Sequence, residues 1–285
     1  MGYHSDKSSS ISLPLESVNR MRIVEILTSR KENPTVNTLN FKDNLCIHAF
    51  PGQFVMVWIP GVDEIPISLS GINQNGLSSI TVNSVGDAST ALNEKKIGEK
   101  IGIRGPFGNG FDLTKGNVLV VGGGTGIGPL MPLTEELVKI VDKITVMSGA
   151  KSRNNLLFLD RIPKILSQLD SEFLFTTEDG SYGIECLVTE QVEEKLAEED
   201  FDMIYTCGPE QMMYNLFILA EKFNIPIQVS MERIMRCSIG LCGSCSIGKL
   251  RVCKDGPVLN SAQLRTVAEE FGKLYLDYTG KKIKI

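Results

Sequence analysis

Short runs in which β-branched and aromatic residues alternate with polar ones fill the first third of the chain. Turn residues such as Asn33-Pro34 and Pro51-Gly52 separate these runs. Several short strands at this spacing, each bounded by a turn, are typical of a small β-barrel. The runs that predict its strands, all between Met21 and Phe111, are MRIVEIL, TVNTLNF, QFVMVWI, SSITVNSV and KIGIRG.

A different pattern begins after Lys115, where apolar strands alternate with helical stretches. The run NVLVVGGG is followed by the helical stretch PLTEELVKIVDK, and two further strand and helix pairs precede the run DMIYTCG. Strands that alternate with helices predict a parallel sheet covered on both faces. The expected fold class is therefore multidomain, with a β-barrel followed by an α/β parallel-sheet domain and a small C-terminal module.

These patterns divide the 285 residues into four predicted segments. A chain of this length has room for about two domains and a small module. The last segment is too short to fold reliably without a further constraint such as a bound metal. The predicted segments are a flexible tail at 1–18, a barrel at 19–113, a nucleotide-binding α/β domain at 114–227 and the small module at 228–285.

Four cysteines lie close together in the small module, at the spacing C-x4-C-x2-C-x7-C. They are Cys237, Cys242, Cys245 and Cys253. This spacing is typical of plant-ferredoxin-type 2Fe–2S clusters, which carry single electrons. The glycines within the run favour a tight loop that turns several sulfurs inward. The four cysteines are therefore the predicted cluster ligands.

Two other uses of the cysteines remain open. A structural zinc site usually has two separated C-x2-C hooks, whereas only Cys242 and Cys245 form such a hook here. Disulfides are less expected, because the start MGYHSDKSSS has no basic segment followed by an apolar signal core. We therefore expect a cytoplasmic protein with reduced thiols. Cys46 and Cys186 are expected to be inert side chains.

Charge and hydropathy exclude two classes of partner. The net charge of −5 gives no basic surface for nucleic acid. No apolar stretch approaches the roughly 18 to 20 residues that a membrane span requires. The only histidines are His4 and His48, and both are expected to be non-catalytic. No catalytic acid or base is predicted on this chain.

The glycine run from Gly122 to Pro129 follows a predicted strand and opens a predicted helix. Such a turn allows a diphosphate to approach backbone N–H groups at the positive end of the helix. The run lacks the Gly-Lys-Ser/Thr ending of a Walker loop and does not fit the G-x-G-x-x-G fingerprint. It predicts nucleotide binding, with close strand and helix packing as the alternative.

The chain as a whole resembles the ferredoxin-NADP reductase superfamily. The resemblance rests on the barrel, the glycine run on a parallel sheet, and the segment YTCGPE (residues 205–210) at the end of a later strand. The four-cysteine module narrows it to the iron–sulfur electron-transfer subunit of NAD-dependent (type B) dihydroorotate dehydrogenase. This resemblance spans nearly the full length. It implies FAD, a 2Fe–2S cluster and NAD as cofactors.

The resemblance also implies where the flavin binds. The family's flavin loop reads Arg-Pro-x-Ser, but here Ile65 replaces the arginine that would pair with a flavin phosphate. That charge is left to other donors, such as the backbone or Arg104. The implied FAD-binding residues are Ile65, Pro66, Ile67, Ser68, Thr81, Val82, Asn83, Gly86, Ala88, Ser89 and Thr90.

A second set of positions matches those that line the nicotinamide dinucleotide in the family. Lys151 and Arg153 either bind a 2′-phosphate or are surface charges, so NAD is favoured over NADP by the resemblance alone. The implied dinucleotide residues are Gly123, Gly124, Thr125, Gly126, Asp179, Cys207, Gly208 and Pro209.

By this resemblance, the chain passes electrons between NAD+ and a flavin-containing catalytic subunit that oxidises dihydroorotate in de novo pyrimidine biosynthesis. The implied assembly is a heterotetramer. An alternative is an NAD(P)H-linked electron-transfer subunit of a hydrogenase, sulfite reductase or ferredoxin-NADP reductase complex. A second alternative is a flavin-free zinc or redox-sensing module, for which Ile65 is the main argument.

Overall fold

The structure is a computed structural model that describes residues 14–73, 75–167 and 169–285. Most of the predicted flexible tail, including His4, lies outside the described residues. The end of that segment is not a tail, because Leu15–Asn19 form a short helix, α1. Val18 on α1 is buried and belongs to the same apolar core as Phe54 and Phe107. Burial of this side chain anchors the helix against the barrel.

The N-terminal part is a closed antiparallel barrel of six strands, as the sequence predicted. Closure leaves no free strand edge, so every strand has two neighbours. Around the barrel the strand order is β1-β2-β5-β4-β3-β6. The strands are β1 (Arg22–Lys31), β2 (Val36–Lys42), β3 (Phe54–Ile59), β4 (Asp63–Ile72), β5 (Leu77–Asn83) and β6 (Lys100–Phe107).

Alternation of side chains fills the barrel interior. In β5 every second residue is buried, including Ile80 and Val82. These meet inward-facing residues of the other strands, such as Leu39 and Ile103, in one apolar cluster. Apolar residues therefore recur at every second position because successive side chains of a strand point to opposite faces of the sheet.

A short helix, α2 (Asp87–Asn93), lies between β5 and β6. The Asn93 side chain holds it in place by donating to the backbone oxygens of Thr35 and Val82, both at 2.8 Å. Asn37 in turn donates to Asn93. These hydrogen bonds fix the C-terminal end of α2 relative to the strands that line the site.

The middle of the chain forms an α/β unit in which strands and helices alternate. Among the described residues of the run NLLFLDRIPKILSQL, only the six residues Arg161–Leu166 are α-helical. The elements are β7 (Asn117–Gly123), α3 (Ile127–Leu137), β8 (Lys143–Ala150), α4 (Arg161–Leu166), β9 (Ser171–Thr177), β10 (Ile184–Glu185), α5 (Val188–Glu198), β11 (Met203–Cys207), α6 (Glu210–Phe223) and β12 (Ile227–Ser230).

The C-terminal part contains short elements around the cysteine loop. They are β13 (Ser246–Ile247), β14 (Leu250–Arg251), α7 (Val252–Asp255), β15 (Val258–Asn260), α8 (Ser261–Arg265), β16 (Leu274–Leu276) and β17 (Lys282–Lys284).

The central sheet has seven strands in the order β10-β9-β8-β7-β11-β12-β15. The first six are parallel, but β15 pairs antiparallel with β12. The sheet therefore extends past the predicted domain boundary at residue 227 and takes a strand from the cysteine-containing module. This pairing covers the exposed edge of β12 and ties the small module to the α/β unit.

The order of the parallel strands reverses between β7 and β11, because β8 and β9 lie on one side of β7 while β11 and β12 lie on the other. In open α/β sheets a crevice forms at this reversal, outside the carboxyl ends of the strands. The glycine run follows β7 and the segment Cys207-Gly208-Pro209 ends β11. Both turns therefore meet at the crevice.

The link between barrel and sheet contacts all three parts of the chain. The Asn109 amide donates to the Gly256 carbonyl at 2.6 Å, and the Phe111 amide donates to the Pro51 carbonyl at 2.8 Å. The Phe111 ring packs edge-on against Tyr205 at a centroid distance of 5.7 Å. Within the described residues, no helix is long and apolar enough to cross a membrane.

We predict that Gly126→Ala destabilises the protein. An added Cβ would lie within 3.0 Å of the Cys207 carbonyl, where backbone cannot easily shift. Overpacking of this kind costs about 1–3 kcal/mol. Thermal unfolding followed by circular dichroism should show a lower Tm.

The matched control is Gly128→Ala, because a Cβ there would meet its nearest neighbour, the Thr81 Cβ, at an ordinary 3.6 Å. Its Tm should stay near that of the wild type. An equal Tm for the Gly126 variant would contradict the close approach of the two turns.

Candidate functional site

A cavity of about 1190 Å³ opens where the barrel, the α/β unit and the C-terminal part meet. Typical small-molecule pockets measure about 300–1,000 Å³, so this cavity has room for an extended dinucleotide. Residues of all three parts line it, including Ser68, Gly208 and Met231. No single part of the chain encloses the site alone.

The barrel wall of the cavity is formed by β4 and β5. Residues 65–68 of β4 and 81–83 of β5 all line it. The polar side chains are held in defined positions, because the Thr81 hydroxyl donates to the Ser70 hydroxyl at 2.8 Å and lies 3.0 Å from that of Thr38. The wall therefore presents apolar surface with a few fixed hydroxyls, as ligand sites commonly do.

The start of α2 forms the next part of the wall. The Ser89 hydroxyl accepts from the amides of Val85 and Gly86 at 3.0 Å each and donates to the Gly86 carbonyl. The Ser89 hydroxyl therefore stabilises the turn that precedes α2. A Cβ at Gly86 would meet no atom within 4 Å, so the backbone faces open space there. Unpaired amides in the first turn of a helix are donors that suit a phosphate.

Most of the residues expected to bind FAD do meet at this cavity. Thr90 is the exception, because it lies further along α2 and is not part of the lining. Those that line the cavity are Ile65, Pro66, Ile67, Ser68, Thr81, Val82, Asn83, Gly86, Ala88 and Ser89.

The suggestion that Arg104 replaces the missing arginine is not supported. Its guanidinium donates to both carboxylate oxygens of Glu64, each at 2.7 Å, and also to Asn19. A bidentate pair of this kind satisfies the geometry of both groups. Arg104 therefore neutralises Glu64, and its charge is not free for a ligand at the position that Ile65 leaves apolar.

The part of the site where the dinucleotide is expected is built from two backbone turns in close contact. A Cβ added at Gly208 would lie 2.9 Å from the Cα of Gly123, and one at Gly126 would overlap the Cys207 carbonyl. Only glycine permits this approach. Cys207 is buried and its pKa is raised by that burial. It is therefore a neutral thiol in the wall.

The expected dinucleotide residues divide into three groups. Thr125, Gly208 and Pro209 line the main cavity. The other glycines of the run and Cys207 lie in the two turns beside it. Asp179 lies beyond the end of β9, where its carboxylate accepts from the Ser181 hydroxyl and amide and its pKa is lowered by these bonds.

Two cationic groups lie near the same carboxyl edge of the sheet. The Arg153 guanidinium lies over the Tyr182 ring at 5.6 Å, and the Arg153 amide donates to the Ser181 hydroxyl. Lys151 is exposed. Stacking on an aromatic ring gives Arg153 a defined position, and within residues 14–73, 75–167 and 169–285 it forms no ion pair. Both groups stand where the dinucleotide's ribose is expected.

Cys237, Cys242 and Cys245 lie in one loop, and Cys253 lies beside it in α7, where its sulfur accepts from the Gly240 amide. Cys245 and Cys253 are buried, Cys237 is partly exposed and Cys242 is exposed. Positive φ angles shape the loop at Gly240 and at Ser238, which is an unusual conformation for serine. The sequence therefore predicted correctly that glycine conformations turn the chain around the sulfurs.

Backbone amides point at three of the sulfurs. The amides of Leu241 and Cys242 lie 3.3 and 3.4 Å from the Cys237 sulfur. The Gly240 amide lies 3.2 Å from the Cys253 sulfur. The Cys253 amide lies 3.4 Å from the Cys245 sulfur. Such N–H groups favour thiolate and tune the potential of a bound iron–sulfur cluster.

The thiols differ in acidity. Burial opposes ionisation of Cys242, but hydrogen bonds with Ser244 and Cys237 outweigh it and lower its pKa to about 6. The hydrogen bond with Cys253 lowers the pKa of Cys245 to about 7 and raises that of Cys253. Thiolate is the form that binds metals. The buried Ser238 hydroxyl beside Cys237 has no hydrogen-bond partner in the described chain.

These features fit an iron–sulfur cluster by donor chemistry and loop shape. Over residues 14–73, 75–167 and 169–285, no three His, Cys, Asp or Glu side chains converge closely enough to hold a single metal ion. The fit rests on three thiols in a glycine-shaped loop, a fourth beside it in α7, and amides directed at three of the sulfurs.

An acidic pair stands between the cavity and the C-terminal part. Glu210 pairs with Arg233 and accepts from the Gly272 amide at 3.0 Å. Glu232 lines the open cavity and is exposed to solvent there. The surrounding protein, which displaces part of its hydration, and then the charge of Glu210 raise its pKa. A ligand in the cavity would remove the remaining water from Glu232.

Several cavity residues were not found from the sequence. They come from segments far apart in the chain, and no local motif marks them. Only Arg236 had a hint in the sequence, because it directly precedes Cys237 of the cysteine run. The missed residues are Phe54, Asp63, Glu64, Ser70, Val85, Met213, Met231, Glu232, Arg233, Ile234, Met235, Arg236, Pro257, Tyr275, Tyr278 and Ile285.

Comparison with known proteins agrees with this architecture. Residues 120–216 match a family model described as an oxidoreductase NAD-binding domain. Residues 232–265, which contain all four cysteines, match the iron-sulfur cluster binding domain of dihydroorotate dehydrogenase B.

Curated relatives cover nearly the whole chain. One from Methanocaldococcus jannaschii is 44% identical over 92% of this chain and 96% of its own length. It is named as a probable dihydroorotate dehydrogenase B (NAD(+)), electron transfer subunit. A relative of the same name from Thermoplasma volcanium is 41% identical over 90% of this chain and 95% of its own.

The chain belongs to the family of dihydroorotate dehydrogenase B electron-transfer subunits.

Among solved structures, this member of the family is similar to an NADH-dependent reduced ferredoxin-NADP oxidoreductase described for flavin-based electron bifurcation. The TM-score is 0.76 at 30% identity, with 87% of this chain and 94% of the other covered. A ferredoxin reductase of carbazole 1,9a-dioxygenase shares the fold, with a TM-score of 0.63 at 18% identity over 74% and 68% of the two chains.

These matches confirm the predicted family, fold class and oxidoreductase assignment. They also support the predicted cofactor set, because an NAD-binding domain and an iron–sulfur domain follow a barrel of the ferredoxin-reductase type. The individual binding residues remain predictions.

We predict that Gly124→Val weakens NADH binding. Gly124 has φ +53 and faces open space, so a valine side chain would project outside the carboxyl end of β7 and block approach to the backbone. Isothermal titration with NADH should show a higher Kd.

Gly98→Val is the control, because Gly98 also has positive φ and no neighbour within 4 Å but lies in the barrel part. It carries similar backbone strain and should leave the Kd unchanged. Equal Kd values for both variants would refute the placement of the dinucleotide.

Proposed function

We propose that the chain carries electrons between NAD+ and a catalytic subunit that oxidises dihydroorotate in de novo pyrimidine biosynthesis. The observation that carries this proposal is the four-cysteine loop, set beside a dinucleotide-sized cavity in a chain with family relatives of that name. Cytoplasmic location is part of the proposal, because the thiols must stay reduced until the cluster assembles.

FAD is the ligand that the large cavity fits. The apolar surface of residues 65–68 and the hydroxyls of Ser70 and Thr81 suit a flavin, and the turn at Gly86 leaves room for a phosphate. When bound, FAD would supply hydride exchange with the nicotinamide and one-electron exchange with the cluster. The chain's own residues orient the two cofactors and exclude water.

The cluster proposed for the cysteine loop is 2Fe–2S, held by Cys237, Cys242, Cys245 and Cys253. Its ligand spacing is that of plant-type ferredoxins. Buried Cys245 and Cys253 face the protein interior, while Cys242 is exposed beside Leu241, whose side chain is 81% exposed. The exposed side of the loop is therefore where a partner could accept or donate electrons.

The partner proposed is a flavin-containing catalytic subunit, assembled with this chain as a heterotetramer. The names of the relatives support such a partner, since they describe an electron-transfer subunit. The dinucleotide proposed is NAD rather than NADP, as the same names state for the relatives. No general acid or base is assigned to this chain, because electron transfer requires none here.

A second candidate function is electron transfer in a different NAD(P)H-linked complex. The solved reduced ferredoxin-NADP oxidoreductase is 30% identical over most of both chains, so the same architecture serves another partner. The fold alone does not distinguish these two functions. The electron donor that reduces the chain distinguishes them.

We predict that Cys242→Ser abolishes cluster assembly while FAD stays bound, because the ligand loop lies outside the barrel wall. Electron paramagnetic resonance of the reduced variant should lack the 2Fe–2S signal, and flavin absorbance should persist. Cys186→Ser is the control, since Cys186 is not one of the four proposed cluster ligands. A 2Fe–2S signal in the Cys242 variant would exclude it as a ligand.

We predict that NADH bleaches the anaerobic visible spectrum of the purified chain, whereas dihydroorotate alone does not. Dihydroorotate should bleach it only after the catalytic subunit is added. Bleaching by NADPH but not NADH would reverse the dinucleotide assignment. A colourless but folded protein would favour the flavin-free zinc module.

A further inference from the structure

The large cavity is lined by more acidic than basic side chains. A flavin diphosphate is an anion, so its site requires cations or N–H donors to offset nearby carboxylates. Among the described residues, the only cationic side chains in the lining are Arg233 and Arg236. The carboxylates of the lining belong to Asp63, Glu64, Asp87, Glu210 and Glu232.

Two of these carboxylates already have arginine partners. Arg104, which lies outside the lining, forms the bidentate pair with Glu64. Arg233 forms a second bidentate pair with Glu210, with one N···O distance of 2.7 Å, and its side chain is only 3% exposed. Both arginines are therefore neutralised by carboxylates, and the one Arg233 donor without a partner in the described chain, Nε, is buried.

Arg236 is in a different situation. In the described part of the chain it forms no ion pair, and its one hydrogen bond is from Nη2 to the Tyr278 carbonyl at 2.8 Å. A guanidinium has five N–H donors, so most of those on Arg236 remain available. The hydrogen bond orients the group without cancelling its charge, because a carbonyl is neutral.

The Tyr278 carbonyl belongs to the hairpin formed by β16 and β17 at the end of the chain. Tyr275, Tyr278 and Ile285 of this hairpin also line the cavity. The ion pair of Lys282 with Glu270, at 2.6 Å, anchors the hairpin to the C-terminal part. The last residues of the chain therefore form a wall of the cavity and position Arg236 within it.

We propose that Arg236, oriented by the C-terminal hairpin, is the cation that binds the diphosphate of FAD. It takes the part that an arginine at position 65 would play, from a different wall of the same cavity. This inference rests on the proposed function, because it requires FAD in the large cavity. A planar guanidinium suits a diphosphate, since its paired N–H groups match two phosphate oxygens.

The test compares FAD with riboflavin, which has no phosphate. Full-length chain with its cluster intact is stripped of flavin, and the Kd of each ligand is measured by fluorescence titration. Arg236→Gln should weaken FAD binding by about 10- to 100-fold, the effect of losing a charge-assisted hydrogen bond. Riboflavin binding should not change. Arg236→Lys should retain part of the FAD affinity.

Lys249→Gln is the matched control, because Lys249 is an exposed cation of the same module and does not line the cavity. It removes the same charge and should leave both Kd values unchanged. Cluster content is measured in every variant by electron paramagnetic resonance, because Arg236 adjoins Cys237. Equal content shows that the loop is intact.

A further measurement needs no variant. FAD affinity of the wild type should fall as salt is raised, whereas riboflavin affinity should not, because salt screens an exposed ionic contact. Equal FAD affinity in Arg236→Gln and wild type, or equal losses of FAD and riboflavin, would overturn the role of Arg236. Failure of the wild type to bind FAD would instead overturn the proposed function.

Discussion

The close approach of two backbone turns is the constraint on which the site depends. The turn after β7 and the turn after β11 are in direct contact, and any side chain at Gly126 would overlap the Cys207 carbonyl. This contact brings the carboxyl ends of both strands to one point, where the strand order reverses. The crevice between them lies where a dinucleotide binds in open α/β sheets, and glycine leaves no side chain to fill it.

The rest of the cavity follows from how the barrel and the C-terminal part are attached to this point. The Phe111 ring packs edge-on against Tyr205 of β11, so the link from the barrel contacts the sheet beside the crevice. Strand β15 forms the edge of the sheet next to β12 and ties the cysteine-containing module to it. A ligand in the cavity would therefore contact the barrel and the sheet at once, with the cluster loop close by.

Electrostatics give the two ends of the site different characters. At the cysteine loop, amides point at sulfur and favour thiolate, which suits positively charged iron. In the cavity, carboxylates outnumber cations, and two of them are neutralised by Arg104 and Arg233. An anionic cofactor needs a remaining cation there, and the described lining leaves Arg236 for that role.

The sequence by itself determined the features whose causes are local. The period of two in β5 marks a strand because neighbouring side chains point to opposite faces, and the cysteine spacing marks a ligand loop because a few glycines close it. The glycine run likewise marked the turn after β7. Each signal lies within about twenty residues of chain, a range over which backbone geometry limits the outcome.

Tertiary structure alone decided which distant residues share the cavity. Arg104 is paired with Glu64 on the barrel. Nothing in the sequence near Arg104 indicates this pairing, so the sequence alone had suggested it as a phosphate donor. Strand β15 enters the sheet from the small module, and Tyr278 reaches the cavity from the end of the chain. These pairings depend on packing between segments far apart in sequence. No local propensity encodes them, because the contacts form only when the whole chain is folded.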